Sequence, residues 1–182
     1  ARRAARPPHA PRLKAEGPQA MSSLTAEARL ERVDRARALS PRRGLEAARR
    51  ALARTGATTG KAEQARLVRA RAHALRLLGR HEEALRDYRA AATSLARAGE
   101  PLEAARCAIG AVDALMYLGR YAPARRMARS ALARFARAGE RAAAARLLNN
   151  LANIEYRLDR PGAALALYAR ARRALVAGRT HD

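Results

Sequence analysis

Shifted by forty residues, the chain matches itself twice. Ala65, Ala105 and Ala145 coincide, as do Arg66, Arg106 and Arg146. Four more columns are identical across three repeats: Leu78, Leu118 and Leu158; Arg80, Arg120 and Arg160; Ala84, Ala124 and Ala164; Ala91, Ala131 and Ala171. The paired segments LARAGE (95–100) and FARAGE (135–140) reinforce the period. A fixed period of this length means a stack of supersecondary units, each burying its apolar face on the next.

The units are helix pairs. Glycine or proline marks each change of direction: Gly79, Gly99, Gly119 and Gly139 follow apolar runs, as Gly does after a helix C-terminus. Pro101, Pro123 and Pro161 stand in first turns, where a missing N–H costs nothing. Helices are predicted at about 61–78, 81–98, 101–118, 121–138, 141–158 and 161–176. Ahead of them, Thr25 caps a helix through Leu39, and a second runs roughly over 42–55. Composition agrees. Alanine fills 50 positions and arginine 36, both strong helix formers, while β-branched and aromatic residues are scarce. Each alanine buries little area, so the core must be thin and spread along the chain.

Four segments follow. Residues 1–20 hold four of the eight prolines without apolar periodicity and read as a disordered leader. Residues 21–60 form a degenerate helix pair, residues 61–178 three forty-residue repeats, and 179–182 a tail.

The turn segments LGRHEEAL (78–85) and LGRYAPAR (118–125), with NNLANIEYRLDRPGAALALYARA (149–171), resemble the tetratricopeptide repeat (TPR) family. The shared features are Gly79 and Gly119 in the turn, the small Ala84, Ala124 and Ala164, the aromatics Tyr88 and Tyr168, and Ala91, Ala131 and Ala171. Departures are Asp159 in place of the turn glycine, Ala128 in place of the middle aromatic, and a period of forty instead of the common 34. Asp tolerates a left-handed backbone better than most residues. The resemblance implies a right-handed superhelix of antiparallel helix hairpins, an all-α solenoid. It is similar in repeat length to bacterial arrays that precede a CHAT-type cysteine-protease domain, which implies a regulatory or scaffolding part of a longer protein.

In such arrays the first helices line the concave face. Residues spaced three and four apart share one helical face. That face carries Arg66, Arg69, His73 and Arg76; then Arg106, Ile109, Asp113, Met116 and Tyr117; then Arg146, Asn149, Asn153, Tyr156 and Arg157. Arginine offers bidentate bonds to carboxylates, and asparagine can pair with a peptide backbone. The expected ligand site is therefore Arg66, Arg69, His73, Arg106, Asp113, Tyr117, Arg146, Asn149, Asn153 and Tyr156. Its partner would be a protein or peptide segment, acidic or presenting a C-terminal carboxylate.

Other chemistry finds little support. His73, Asp113 and Asn153 occupy equivalent positions and read as an exposed polar ladder, with no nucleophile beside them. His81 begins a helix and reads as solvated. Cys107 falls in a column with Leu67 and Leu147 and reads as a small core residue. A single cysteine excludes an internal disulfide and any multi-cysteine zinc site. No phosphate loop, paired-carboxylate signature or Ser–His–Asp arrangement is present, so neither catalysis, a cofactor nor a metal is expected. Nothing resembles a membrane span or a signal-peptide core, which points to the cytoplasm.

The net charge of +22 is the case for the alternative, a nucleic-acid-binding helical repeat. It is spread along the whole chain: net +9 over residues 1–60 and +13 over 61–182. With 36 arginines against two lysines, the excess also fits a GC-rich coding sequence. Base stacking would need aromatics on the binding face, where only Tyr117 and Tyr156 qualify. At the C-terminus, Leu165, Leu167, Tyr168, Leu175 and Val176 present more apolar surface than one neighbouring helix can cover. Self-association through this helix, or a further domain covering it, is expected.

Overall fold

A computed structural model describes residues 25–56 and 59–179. The readings made for residues 1–20 and for the end of the tail lie outside them. Among the described residues there are eight helices and no strands: α1 (Ala26–Leu39), α2 (Pro41–Ala53), α3 (Lys61–Leu77), α4 (His81–Arg97), α5 (Pro101–Tyr117), α6 (Tyr121–Arg137), α7 (Arg141–Arg157) and α8 (Pro161–Arg179). Successive helices pack as antiparallel neighbours, and first helices also touch the first helices of adjacent pairs. The architecture is an all-α solenoid. No described helix is long and apolar enough to cross a membrane.

The turns explain the period. After each of α3 to α7 one residue adopts a left-handed backbone: Gly79, Gly99, Gly119 and Gly139 at φ between 69° and 79°, and Asp159 at 56°. Each reverses the chain the same way. The N–H of Arg80 reaches back to the Leu75 carbonyl at 3.0 Å, Glu100 to Leu95 at 2.9 Å, Arg120 to Leu115 at 2.8 Å, Glu140 to Phe135 at 2.9 Å and Arg160 to Glu155 at 3.0 Å. These bonds satisfy carbonyls that a helix end leaves without partners. At the other end of the chain, Thr25 accepts from the Ala28 N–H at 3.3 Å, and Pro41 opens α2 immediately after Ser40.

The core is as thin as the alanine content demands. Ala72, Ala74, Ala84, Ala114, Ala124, Ala128 and Ala152 are fully buried, and Tyr88 and Phe135 are the largest fully buried side chains. One apolar cluster runs from Leu45 on α2 to Ile154 on α7. A second joins α1, α2 and α3 through Val33, Ala48 and Leu67, and a third joins α7 and α8 through Ala145, Leu148 and Ala171. Met116 belongs to this core and not to the concave strip where helical spacing placed it.

Candidate functional site

Four arginines of the first helices obey a spacing rule. Arg29 donates to Glu63 at 2.7 Å, Arg66 to Glu100 at 2.6 Å, Arg69 to Glu103 at 2.7 Å and Arg106 to Glu140 at 2.8 Å. In every case the partner lies 34 residues on, at or near the start of the next first helix. The cause is geometric: stacked first helices are offset, so a side chain in the second or third turn of one faces the opening turn of the next. A carboxylate there also meets the positive end of the helix dipole. Arg106 additionally contacts Glu103 of its own helix. Arg66, Arg69 and Arg106 therefore hold repeats together, and the strip they occupy is largely neutralised.

A second column lies one turn further along. His73, Asp113 and Asn153 are half-buried, where an exposed ladder was expected. The reason is a tyrosine fifteen residues on. The Tyr88 hydroxyl lies 2.6 Å from His73 Nδ1, and the Tyr168 hydroxyl donates to Asn153 Oδ1 at 2.5 Å. In the middle repeat Ala128 replaces that tyrosine, and Asp113 instead accepts from Arg76 of the preceding repeat at 2.5 Å. Burial, reinforced by the nearby guanidinium groups of Arg37, Arg69, Arg76 and Arg146, pushes the His73 pKa down to about 3. Burial likewise pushes Tyr88 up to about 12. Both groups are neutral at pH 7, so the contact is a hydrogen bond between two uncharged partners whose direction follows the imidazole tautomer.

Of the expected site residues, His73, Asp113, Arg146 and Asn149 converge on one groove of about 500 Å³. Asn153 borders it through its bond to Tyr168. Arg146 and Asn149 are exposed, and Arg146 has no ion-pair partner among the described residues. The groove also takes Tyr168, Arg172 and Leu175 from α8. Arg172 is exposed and is likewise without an ion-pair partner among the described residues. These α8 residues escaped the sequence reading because it assigned the lining to first helices alone. The signal was present in register: Leu175 falls in the column of Leu95 and Phe135, which are fully buried, yet it is 51% exposed.

Tyr117 and Tyr156 sit apart, at the turn edge. Tyr117 stacks on His81 with centroids 4.7 Å apart and planes within 2°, and the Arg157 guanidinium lies 5.2 Å from its centroid. His81 is thus half-buried in a ring stack and not free in solvent. Tyr156 is exposed. Cys107 is buried, as its column implied, and burial pushes its thiol up to about 11. Among the described residues no group of three or more His, Cys, Asp or Glu side chains could hold a metal ion.

These features define a helical-repeat protein with an open groove at one end. No family model matches the chain, and no curated protein matches it in sequence. Among solved structures it is similar to BtubC (BKLC) from P. vanneervenii, with a TM-score of 0.62 and 21% identity. The match covers 80% of this chain and 57% of that one, so this chain spans little more than half of its structural relative. At this identity the likeness concerns the fold.

Proposed function

We propose that the chain is a protein-interaction module that binds an acidic segment of a partner in the groove between its first helices and α8, as a regulatory or scaffolding part of a longer polypeptide. One observation carries the reading. The arginines of the first helices α3 and α5 are matched to carboxylates, whereas Arg146 and Arg172 face the same groove with no matching carboxylate among the described residues. Asn149 adds an exposed amide beside them, and Leu175 an apolar contact. Arginines already paired offer a ligand little, because a new carboxylate must displace an existing one. Unpaired arginines in a concave wall offer charge-assisted, bidentate bonds. The resemblance of residues 149–171 to repeat arrays that precede CHAT-type protease domains supports the longer-protein setting.

The test is binding of a labelled acidic peptide with a free C-terminal carboxylate, followed by anisotropy. Arg146→Glu and Arg172→Glu should each weaken it about 10- to 100-fold, the worth of a charged hydrogen bond. Arg129→Glu, exposed on α6, should change it little. Equal losses at all three positions would refute the groove and favour a diffuse electrostatic ligand such as nucleic acid, which added salt would then release.

A further inference from the structure

We infer that the segment taken by this site is a helix carrying a carboxylate at its start and a glycine facing Tyr168; the inference rests on the interaction reading above. The protein contains its own template. Helix α5 covers α4 in a way that leaves Tyr88, Leu95 and Leu85 at most 2% exposed. It presents Glu100 and Glu103 to Arg66 and Arg69, and Gly110 to the Tyr88 hydroxyl. The corresponding face of α8 is uncovered among the described residues. Leu165, in the register of Leu85, is 68% exposed, and Leu175, in the register of Leu95, is 51% exposed. Tyr168 is half-buried where Tyr88 is fully buried.

The ion-pair rule completes the match. Arg146 stands in the register of Arg66 and Arg106, each of which takes a carboxylate 34 residues on. The residue 34 on from Arg146 is Thr180, which cannot supply one. The unfilled positions are thus a cation, a tyrosine wanting a small residue against it, and two leucines. An extended acidic peptide would answer the cation alone. A helix patterned like α5 answers all of them, and its dipole adds to the charge at its first turn.

The probe is a labelled peptide of residues 100–118 of this chain with Cys107→Ala, titrated with the full chain. It should bind, and Arg146→Glu or Leu175→Glu in the protein should each weaken it at least tenfold without loss of helical circular dichroism. In the peptide, Glu100→Gln should weaken it similarly, as should Gly110→Leu and the helix-breaking Ala111→Pro. If the Ala111→Pro or Gly110→Leu peptide binds as well as the parent, the helix inference is overturned while the acidic-segment reading stands. If none of these peptides binds but an unstructured acidic peptide does, the same holds. If no acidic peptide of either kind binds, both are overturned.

Discussion

The hydroxyl of Tyr88 stands so close over Gly110 that a Cβ added there would lie 2.1 Å from it. A glycine in the interior of a long helix costs about 1 kcal/mol in propensity relative to alanine, and this contact is the reason it is kept. In the next repeat the same two positions hold Ala128 and Asn150. The large residue has moved from the second helix to the first, and Asn150 donates to the Ile109 carbonyl at 2.9 Å. Gly110→Ala should therefore destabilise the protein by about 2 kcal/mol, overpacking outweighing the propensity gain. Combined with Tyr88→Ala, it should cost markedly less than the sum of the two single changes. Urea midpoints of the four proteins would show it, and simple additivity would count against the contact.

How much of this was legible in the sequence can be judged at such positions. The period, the turn residues and the helix spans follow from backbone chemistry, which acts locally, and Asp159 at φ 56° was readable as a glycine substitute. Cys107 was readable from its column. The pairing of Arg66 with Glu100 was not, because it depends on the offset between stacked helices, and a forty-residue period says nothing about offset. Nor could helical spacing distinguish Met116 in the core from Ile109 in the groove, since the two lie close on the helix face. The role of α8 was hidden for a related reason: its lining residues become visible only because no helix among the described residues covers them.

The ladder between repeats should contribute modestly. Arg66 and Glu100 are roughly one-third exposed as side chains, at 32% and 27%. Solvent screens such a pair, so a double-mutant cycle with Arg66→Ala and Glu100→Ala should give a coupling of about 0.5–1 kcal/mol. The coupling should shrink in high salt. Thermal or urea unfolding of the four variants measures it, and a coupling of zero would mean that stacking rests on the apolar clusters alone.

Cys107 should be inert in the folded protein. Burial raises its thiol to about 11, and the thiolate is the reactive species. A coloured disulfide reagent at pH 8 should react with the thiol only as fast as the protein opens, and at once in denaturant. Rapid reaction under native conditions would contradict the buried placement.

The uncovered face of α8 should show itself in solution. Leu165 and Leu175 are exposed apolar residues on a helix also bearing exposed Val176. We expect concentration-dependent association by light scattering, reduced when both leucines are replaced by glutamate. Because both side chains already meet water, the double change should leave the unfolding free energy within about 0.5 kcal/mol of the parent. Unchanged association would place the contact elsewhere.

Acid sensitivity should be traceable in part to His73. Its pKa is about 3 in the folded chain, lowered first by burial and then by surrounding arginines, against an ordinary value of 6.5. Between these values the unfolded chain holds a proton that the folded chain does not. Unfolding then takes up protons, so stability falls as the pH drops through this window. Above pH 6.5 the residue is neutral in both states and has no effect. The slope is at most about 1.4 kcal/mol per pH unit, one proton's worth, and partial exposure of the ring will reduce it. The Glu103 carboxyl, which burial pushes up but Arg69 and Arg106 together hold below the usual range, adds its own sensitivity at more acid pH. The clean comparison is therefore between the parent and His73→Gln, which keeps an acceptor for the Tyr88 hydroxyl and cannot protonate. The difference in their melting temperatures should be constant from pH 8 to 7. Below about pH 6 it should change steadily in favour of the variant. Parallel curves down to pH 4 would show that His73 protonates freely in the folded protein.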